Sequence, residues 1–163
     1  MKKRIKKCKT IVHAMHGIGS HRVPLPPAIA STLYDSVAIP KLMYGTDVMN
    51  LDDNTLAEME SFQFECAKLI QGIPKNSANV GGIVTLGWST AQAKINTKVL
   101  QFLWRILLLP HSDIYKVVLI NRFYEAYRCK GNISGPVANM VNLCKRYNVM
   151  GIVIKSIETG KFM

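Results

Sequence analysis

Acidic residues are scarce in this chain. Only 10 Asp and Glu residues stand against 21 Lys and Arg, so the formal net charge is +11 and the isoelectric point is about 9.7. A strong excess of positive charge favours polyanionic partners, because binding them releases condensed counterions. The composition therefore favours a phosphate-bearing partner over a cationic one.

The sequence also lacks the features of a secreted or membrane protein. The apolar stretch at residues 99–109 is interrupted by Gln101 and Arg105 and is too short to span a bilayer. No apolar leader segment follows the basic N-terminus, and the four cysteines show no paired spacing. We expect an intracellular protein, in the nucleus or the cytoplasm, with reduced thiols and no membrane partner.

No catalytic or cofactor-binding constellation is recognisable. The glycines at 17–19 and 81–82 lack the lysine and hydroxyl neighbours of phosphate-binding loops. His13 and His16 lie three residues apart, but zinc ligands usually come in tighter pairs. The sequence therefore predicts no catalytic residue, no metal site and no cofactor.

Apolar residues recur at the three- and four-residue spacing of amphipathic helices, and no segment alternates as a strand would. We expect an all-α fold of about six helices, with a tail after Gly151 that forms a short strand at 152–154 or a frayed end. The predicted segments are a basic helix at 2–16, a linker at 17–26, a helix from Pro27 that Pro40 breaks or kinks, helices at 53–71, 90–109 and 113–128, and a shorter helix from Pro136. Residues 75–89 are predicted to form a short helix between loops.

Each main helix is expected to bury one apolar stripe. Asp52 or Asp53 is the predicted N-cap of the helix at 53–71, and Gly72 marks its end. The predicted stripes are Ile5, Cys8, Val12 and Met15; Leu33, Val37 and residues near Met43; Met59, Phe62, Cys66 and Leu69; and Ile95, Val99, Phe102, Ile106 and Leu109, widened by Leu103 and Leu107.

Charge is distributed unevenly along the chain. Residues 1–34 carry seven basic and no acidic residues, whereas residues 35–65 carry one basic against seven acidic residues. Because the first acidic residue is Asp35, we expect the charge of the N-terminal cluster to be left for phosphate contact. The candidate nucleic-acid contacts in this cluster are Lys2, Lys3, Arg4, Lys6, Lys7 and Lys9.

A second set of candidates forms one row on the helix at 90–109. Lys94, Lys98, Gln101 and Arg105 recur at steps of four, three and four residues, opposite the apolar stripe. Such a row can follow a phosphate backbone, and it is equally compatible with an ordinary solvated face.

Two further groups of residues have weaker claims. Asn139, Asn142, Lys145 and Arg146 make another polar face. The aromatic residues can stack on bases, but at helical spacing they more often belong to the core. This group comprises Trp88, Phe102, Trp104, Phe123, Tyr124 and Tyr127.

A series of short motifs resembles the region after the catalytic palm of non-LTR retrotransposon reverse transcriptases. Their order and spacing agree over about residues 2–125, and residues 131–150 are similar to a later helix of that family. The motifs are His16-Gly17, IPKLMYGTDV at 39–48, MESFQ at 59–63, IQGIP at 70–74, LGW at 86–88 and FLWRIL at 102–107.

The resemblance implies a thumb-like helical domain at residues 1–128, followed by an additional helix and tail at 129–163. It implies a part of an RNA-directed DNA polymerase that grips the backbone of an RNA or DNA primer–template duplex and packs on the palm and fingers, which this chain lacks. Polymerases need carboxylates converging on two metal ions. Asp47 is a lone aspartate and the pair Asp52-Asp53 falls at a helix cap, so we expect no catalysis by this chain alone.

The sequence is compatible with other classes as well. A helical protein-interaction module would have the same amphipathic helices, and a non-functional retrotransposon remnant would retain the same motifs. A stand-alone enzyme is the third alternative, and the missing carboxylates count against it.

Overall fold

The computed structural model describes residues 1–18, 25–129 and 135–159, and only the backbone of residues 16–18. All regular secondary structure in these ranges is helical, so the all-α prediction is confirmed. The elements are α1 (Lys2–Ile18), α2 (Pro27–Leu33), a π-helical segment (Tyr34–Ala38), α3 (Ile39–Leu42), α4 (Asp53–Gln71), α5 (Asn79–Thr85), α6 (Ala91–Leu107), α7 (Ile114–Arg128), α8 (Pro136–Arg146) and α9 (Met150–Thr159).

The described part of the chain packs as two units. Unit 1 comprises Met1–Tyr44 and Leu51–Lys94, and unit 2 comprises Gly45–Asn50 and Ile95–Met163. The helix α6 begins in unit 1 and continues in unit 2. The boundary that we placed at residues 128–129 falls inside unit 2.

Unit 1 is built around α1 and α4. Helix α1 packs on α4 and on the helical run 27–42, and α4 packs on α5. The predicted stripe of α1 is buried in full, and Met59, Phe62 and Cys66 of α4 are buried with it. Leu69, the last member of the α4 stripe, is half-buried.

The helical run 27–42 departs from the predicted stripe. Val37 is 46% exposed and Leu33 is half-buried, so the prediction that Val37 lies in the core is wrong. The N–H of Ile39 bonds to the carbonyl of Tyr34, five residues back, and this wide turn comes directly before Pro40. Proline lacks an N–H and crowds the preceding turn, and a π-turn relieves that crowding by shifting the register. The buried residues are therefore Ala30, Tyr34, Ala38 and Leu42.

The ends of α4 follow the sequence prediction. Asp52 occupies the N-cap with extended backbone, and a hydrogen bond with the Thr55 side chain lowers the pKa of its carboxyl group. Gly72 ends the helix with a φ of +65°, a backbone conformation that residues other than glycine rarely adopt. The N–H of Ile73 then bonds to the carbonyl of Lys68 at 3.0 Å.

In unit 2, α7 packs on α8 and α8 packs on α9. We predicted that the tail after Gly151 forms a short strand at 152–154 or a frayed end, and both alternatives are wrong, because residues 152–154 belong to α9 (Met150–Thr159). Two β-branched isoleucines and a valine favour a strand locally, but α9 places Val153 and Ser156 on one buried helical face, and this tertiary packing overrides the local propensity.

The buried face of α6 is centred differently from the prediction. Ile95, Val99, Leu103 and Leu107, spaced four residues apart, are each less than 5% exposed. Phe102 and Ile106, which we placed at the centre of the stripe, are only half-buried at its edge.

Candidate nucleic-acid interface

The basic cluster of α1 divides into residues with different surroundings. Helical spacing turns Ile5, Cys8, Val12 and Met15 towards the core, so the residues on the opposite side must face solvent. Three lysines occupy that side and are exposed: Lys3, Lys6 and Lys7.

Two lysines at the edge of this face are paired with α4. The ammonium of Lys2 lies 3.4 Å from the carboxylate of Glu58, and that of Lys9 lies 2.6 Å from Glu65. Our expectation that the whole N-terminal cluster has no acidic partner is therefore wrong for these two residues. Folding brings the acidic block of residues 35–65 against α1, and distance along the sequence did not reveal it.

Arg4 has a structural role within unit 1. Its guanidinium donates a hydrogen bond to the carbonyl of Tyr44 and lies 5.7 Å from the centroid of the Tyr44 ring. The side chain therefore fastens α1 to the residues that follow α3, and the residue is only half exposed.

Lys3, Lys6 and Lys7 are the part of the cluster that is left for a ligand. Across residues 1–18, 25–129 and 135–159, no carboxylate lies within ion-pair distance of their ammonium groups. They occupy a single face of one helix, and such a row can lie along a phosphate backbone without reading bases.

The residues of the predicted row on α6 also differ in their surroundings. The ammonium of Lys94 lies 3.0 Å from Asp35, and it lies 5.8 Å and 5.5 Å from the ring centroids of Tyr34 and Trp88. Its side chain is only 19% exposed, so its charge is largely committed inside unit 1. Lys98 is half-buried and makes a further polar contact.

Gln101 and Arg105 complete the row and are exposed on the last two turns of α6. The 17 residues of this helix contain no Asp or Glu. A charge-assisted bond from Arg105 to phosphate would therefore meet no repulsion from carboxylates of its own helix.

The start of α6 is held by polar side chains of α4. The N–H of Gln92 donates to Glu60 Oε1 at 2.9 Å, and Gln63 Nε2 donates to the carbonyl of Ser89 at 2.6 Å. The hydroxyl of Thr90 accepts from the N–H of Ala93 at 3.2 Å and so caps the start of the helix. The first two bonds could not be predicted from residue spacing, since they join residues far apart in the chain.

The residues of the two other candidate groups differ in their exposure to solvent. Asn142, Lys145 and Arg146 are exposed and Asn139 is half-buried, with the Lys145 ammonium 5.6 Å from the ring centroid of Tyr127. Among the aromatic residues, Trp88 and Phe123 are buried and Phe102 and Tyr124 are half-buried, while Trp104 and Tyr127 are exposed. The exposure of Trp104 is the main feature that the periodicity did not indicate.

Among residues 1–18, 25–129 and 135–159, no three His, Cys, Asp or Glu side chains lie together in a position to hold a metal ion. His13 is exposed, while the side chains of His16 and His21 lie outside the described residues. In the same ranges, no helix combines the length and the apolar character that crossing a bilayer requires.

Comparison with known proteins gives no relative. No family model matches this chain, and neither the curated proteins nor the solved structures contain a significant match.

Proposed function

We propose that this chain is the thumb-like helical part of an RNA-directed DNA polymerase and that it holds a primer–template duplex by the phosphate backbone. The observation that carries the proposal is the outward face of α1, where Lys3, Lys6 and Lys7 are exposed without carboxylate partners in the described structure. The motif series that resembles non-LTR reverse transcriptases supports the same assignment.

Binding in this proposal is electrostatic and is insensitive to base sequence. The exposed lysines of α1 and Arg105 of α6 place their charges on phosphates, and each neutralised phosphate releases counterions. Lys2, Lys9 and Lys94 contribute less, because each already has a carboxylate partner.

The test is a salt titration of duplex binding by the full chain. If about six phosphates are neutralised, the logarithm of the association constant falls with the logarithm of salt concentration at a slope near −5. Two duplexes of unrelated sequence and equal length should give the same slope. Binding with no slope, or binding restricted to one sequence, contradicts backbone gripping.

The proposal assigns no nucleotide addition to this chain alone. A primer-extension assay with Mg²⁺ and deoxynucleotides addresses this directly, with the full chain at micromolar concentration. Incorporation of nucleotides into the primer would show that a complete catalytic site is present and would overturn this part of the proposal.

A protein-interaction module is the second candidate, and a groove in unit 1 favours it. The groove has a volume of about 860 Å³ and is lined by Val12, Phe62, Leu69 and Ile73, with Lys9 among the charged residues around them. Apolar side chains in a groove can receive the apolar face of an amphipathic partner helix. This candidate predicts duplex binding that is weak and insensitive to salt.

A further inference from the structure

The groove of about 860 Å³ in unit 1 lies outside the set of lysines to which we assign duplex binding. Its walls are side chains of α1, of α4 and of the loop that follows α4, and Lys3, Lys6 and Lys7 do not line it. Its apolar lining comprises Val12, Phe62, Phe64, Cys66, Leu69, Ile73 and Pro74. Phe64, Leu69 and Ile73 are only half-buried, so part of each side chain remains open to a ligand.

The charged residues around the groove are mostly basic. Of the described residues that line it, three are lysines and one, Glu65, is acidic. The carboxylate of Glu65 is already paired with Lys9 at 2.6 Å. The ammonium groups of Lys68 and Lys75 have no carboxylate within ion-pair distance in the parts of the chain that the structure describes. The groove therefore combines an apolar floor with an excess of positive charge.

The surroundings of Lys68 indicate which kind of ligand the groove suits. This residue is only 7% exposed, and its ammonium donates a hydrogen bond to the carbonyl of Lys75 at 2.7 Å. An ammonium can donate three hydrogen bonds, and a buried charge is costly unless it is paired. A carboxylate brought into the groove would supply the opposite charge and a charge-assisted hydrogen bond.

We infer that this groove binds an acidic amphipathic helix of a partner protein, with apolar side chains of that helix on Leu69 and Ile73 and a carboxylate at Lys68 and Lys75. Amphipathic helices bind in apolar grooves through residues at positions i, i+3, i+4 and i+7. Lysines beside the groove select helices with acidic flanks, because like charges placed across an interface repel each other. The inference goes beyond the proposed function and does not depend on it, since different residues carry it.

The experiment measures the affinity of the full chain for three fluorescent peptides by anisotropy at physiological salt. The acidic peptide has a helical stripe of leucines with glutamates on the other faces, the neutral peptide has glutamine in place of each glutamate, and the scrambled peptide keeps the acidic composition without the stripe. The acidic peptide should bind roughly tenfold more tightly than the neutral one, as expected for one hydrogen bond to a buried charge. The scrambled peptide should bind clearly more weakly than the acidic one, because its leucines cannot enter the groove together.

Two variants of the protein test the two parts of the site. Lys75→Gln removes an exposed charge and retains the main-chain carbonyl that binds Lys68, so it should weaken the acidic peptide by roughly threefold and leave the neutral peptide unchanged. Leu69→Ala shortens the apolar floor and should weaken both peptides. Circular dichroism should show the same helix content in both variants as in the native chain.

Lys3→Gln is the matched control for Lys75→Gln. It also removes one exposed positive charge from unit 1, but Lys3 does not line the groove. Lys3→Gln should therefore leave the affinity for the acidic peptide unchanged while it reduces the salt slope of duplex binding. Lys75→Gln should have the opposite pair of effects.

The outcomes separate this inference from the proposed function. Equal affinities for the acidic and neutral peptides, or no binding of either, overturn the acidic partner. Equal affinities for the acidic and scrambled peptides, or equal losses in Lys75→Gln and Lys3→Gln, mean binding to surface charge in general and overturn the groove as the site. None of these results bears on duplex binding. Peptide binding that depends on Lys75 and Leu69, together with a flat salt slope for the duplex, supports the inference and overturns the duplex grip.

Discussion

The ring of Tyr34 stacks on the indole of Trp88, with centroids 4.2 Å apart and ring planes 13° from parallel. Tyr34 lies in the π-helical segment before Pro40, and Trp88 lies in the loop that leads into α6. The contact therefore joins two irregular parts of unit 1. The ammonium of Lys94 lies beside both rings and so adds a cation–π contribution to the same cluster.

Trp88→Ala should destabilise the protein strongly. Removing a buried indole leaves a cavity and a broken stack, and such substitutions cost about 3–5 kcal/mol. Urea unfolding followed by circular dichroism measures the change. Trp104→Ala is the matched control, because it removes the same side chain from an exposed position, and it should cost much less. Equal costs for the two variants would contradict the burial assigned to Trp88.

Tyr34→Phe should leave stability unchanged or raise it slightly. The Tyr34 hydroxyl is buried and has no hydrogen-bond partner in the described structure, so its removal gives up no bond and relieves the desolvation of a polar group. The same burial raises the pKa of this phenol. Thermal unfolding of the variant checks this, and a loss greater than about 1 kcal/mol would mean that the hydroxyl does have a strong partner.

Lys94 and Arg105 should differ in their contributions to duplex binding, although each carries one positive charge of α6. Arg105→Gln removes an exposed charge and should reduce the magnitude of the salt slope by about 0.9. Lys94→Gln removes a charge that is already paired with Asp35, so it should leave the slope nearly unchanged and lower stability instead. The reverse result would show that Lys94 leaves Asp35 for phosphate.

The four cysteines should react unequally with iodoacetamide. Cys129 is exposed, whereas Cys8, Cys66 and Cys144 are buried, and burial raises the pKa of the Cys144 thiol to about 11. Because the thiolate is the reactive form, Cys129 should be alkylated first at pH 8, and the buried thiols only after unfolding. Mass spectrometry of timed digests follows each site. Rapid alkylation of Cys144 in the folded protein would contradict its burial.

The three buried thiols, those of Cys8, Cys66 and Cys144, make the free energy of unfolding depend on pH in the alkaline range. Their pKa values are raised on folding, so the unfolded chain loses thiol protons above pH 9.0 while the folded chain keeps them. The unfolded state then binds fewer protons, and the free energy of unfolding falls as pH rises. The urea midpoint should therefore decline between pH 9 and pH 11, and the decline should be smaller in Cys144→Ala than in Cys129→Ala.

The helices could be predicted from the sequence wherever an apolar stripe and a local end signal coincide. Gly72 and Thr90 act over one turn of helix, so their effect is visible in the residues beside them. The stripe of α1 is equally local, because Ile5, Cys8, Val12 and Met15 follow one period. These are properties that a short window of sequence contains.

Most of the misses arose where distant parts of the chain decide, and the exception is Val37, where the cause is the neighbouring Pro40. The π-turn before Pro40 moved Val37 out of the core, and burial against the rest of the unit selected helix over strand at residues 152–154. The ion pairs of Lys2 with Glu58 and of Lys9 with Glu65 join residues more than fifty positions apart. Residue spacing carries no information on such contacts, so the basic cluster was predicted as six equivalent cations.

The α1 cluster contains lysines with and without carboxylate partners, and comparing the two kinds tests most directly whether the chain binds the phosphate backbone of a duplex. Lys3→Gln with Lys7→Gln and Lys2→Gln with Lys9→Gln each remove two positive charges from the same helix. The first pair is exposed without carboxylate partners in the described structure, while the second is paired with Glu58 and Glu65.

The measurement is the salt dependence of duplex affinity for the native chain and the two double variants. The account predicts that the first double variant reduces the magnitude of the slope by about 2, since each phosphate contact contributes about 0.9, and that the second reduces it clearly less. Equal reductions in the two variants, or none in either, would contradict it.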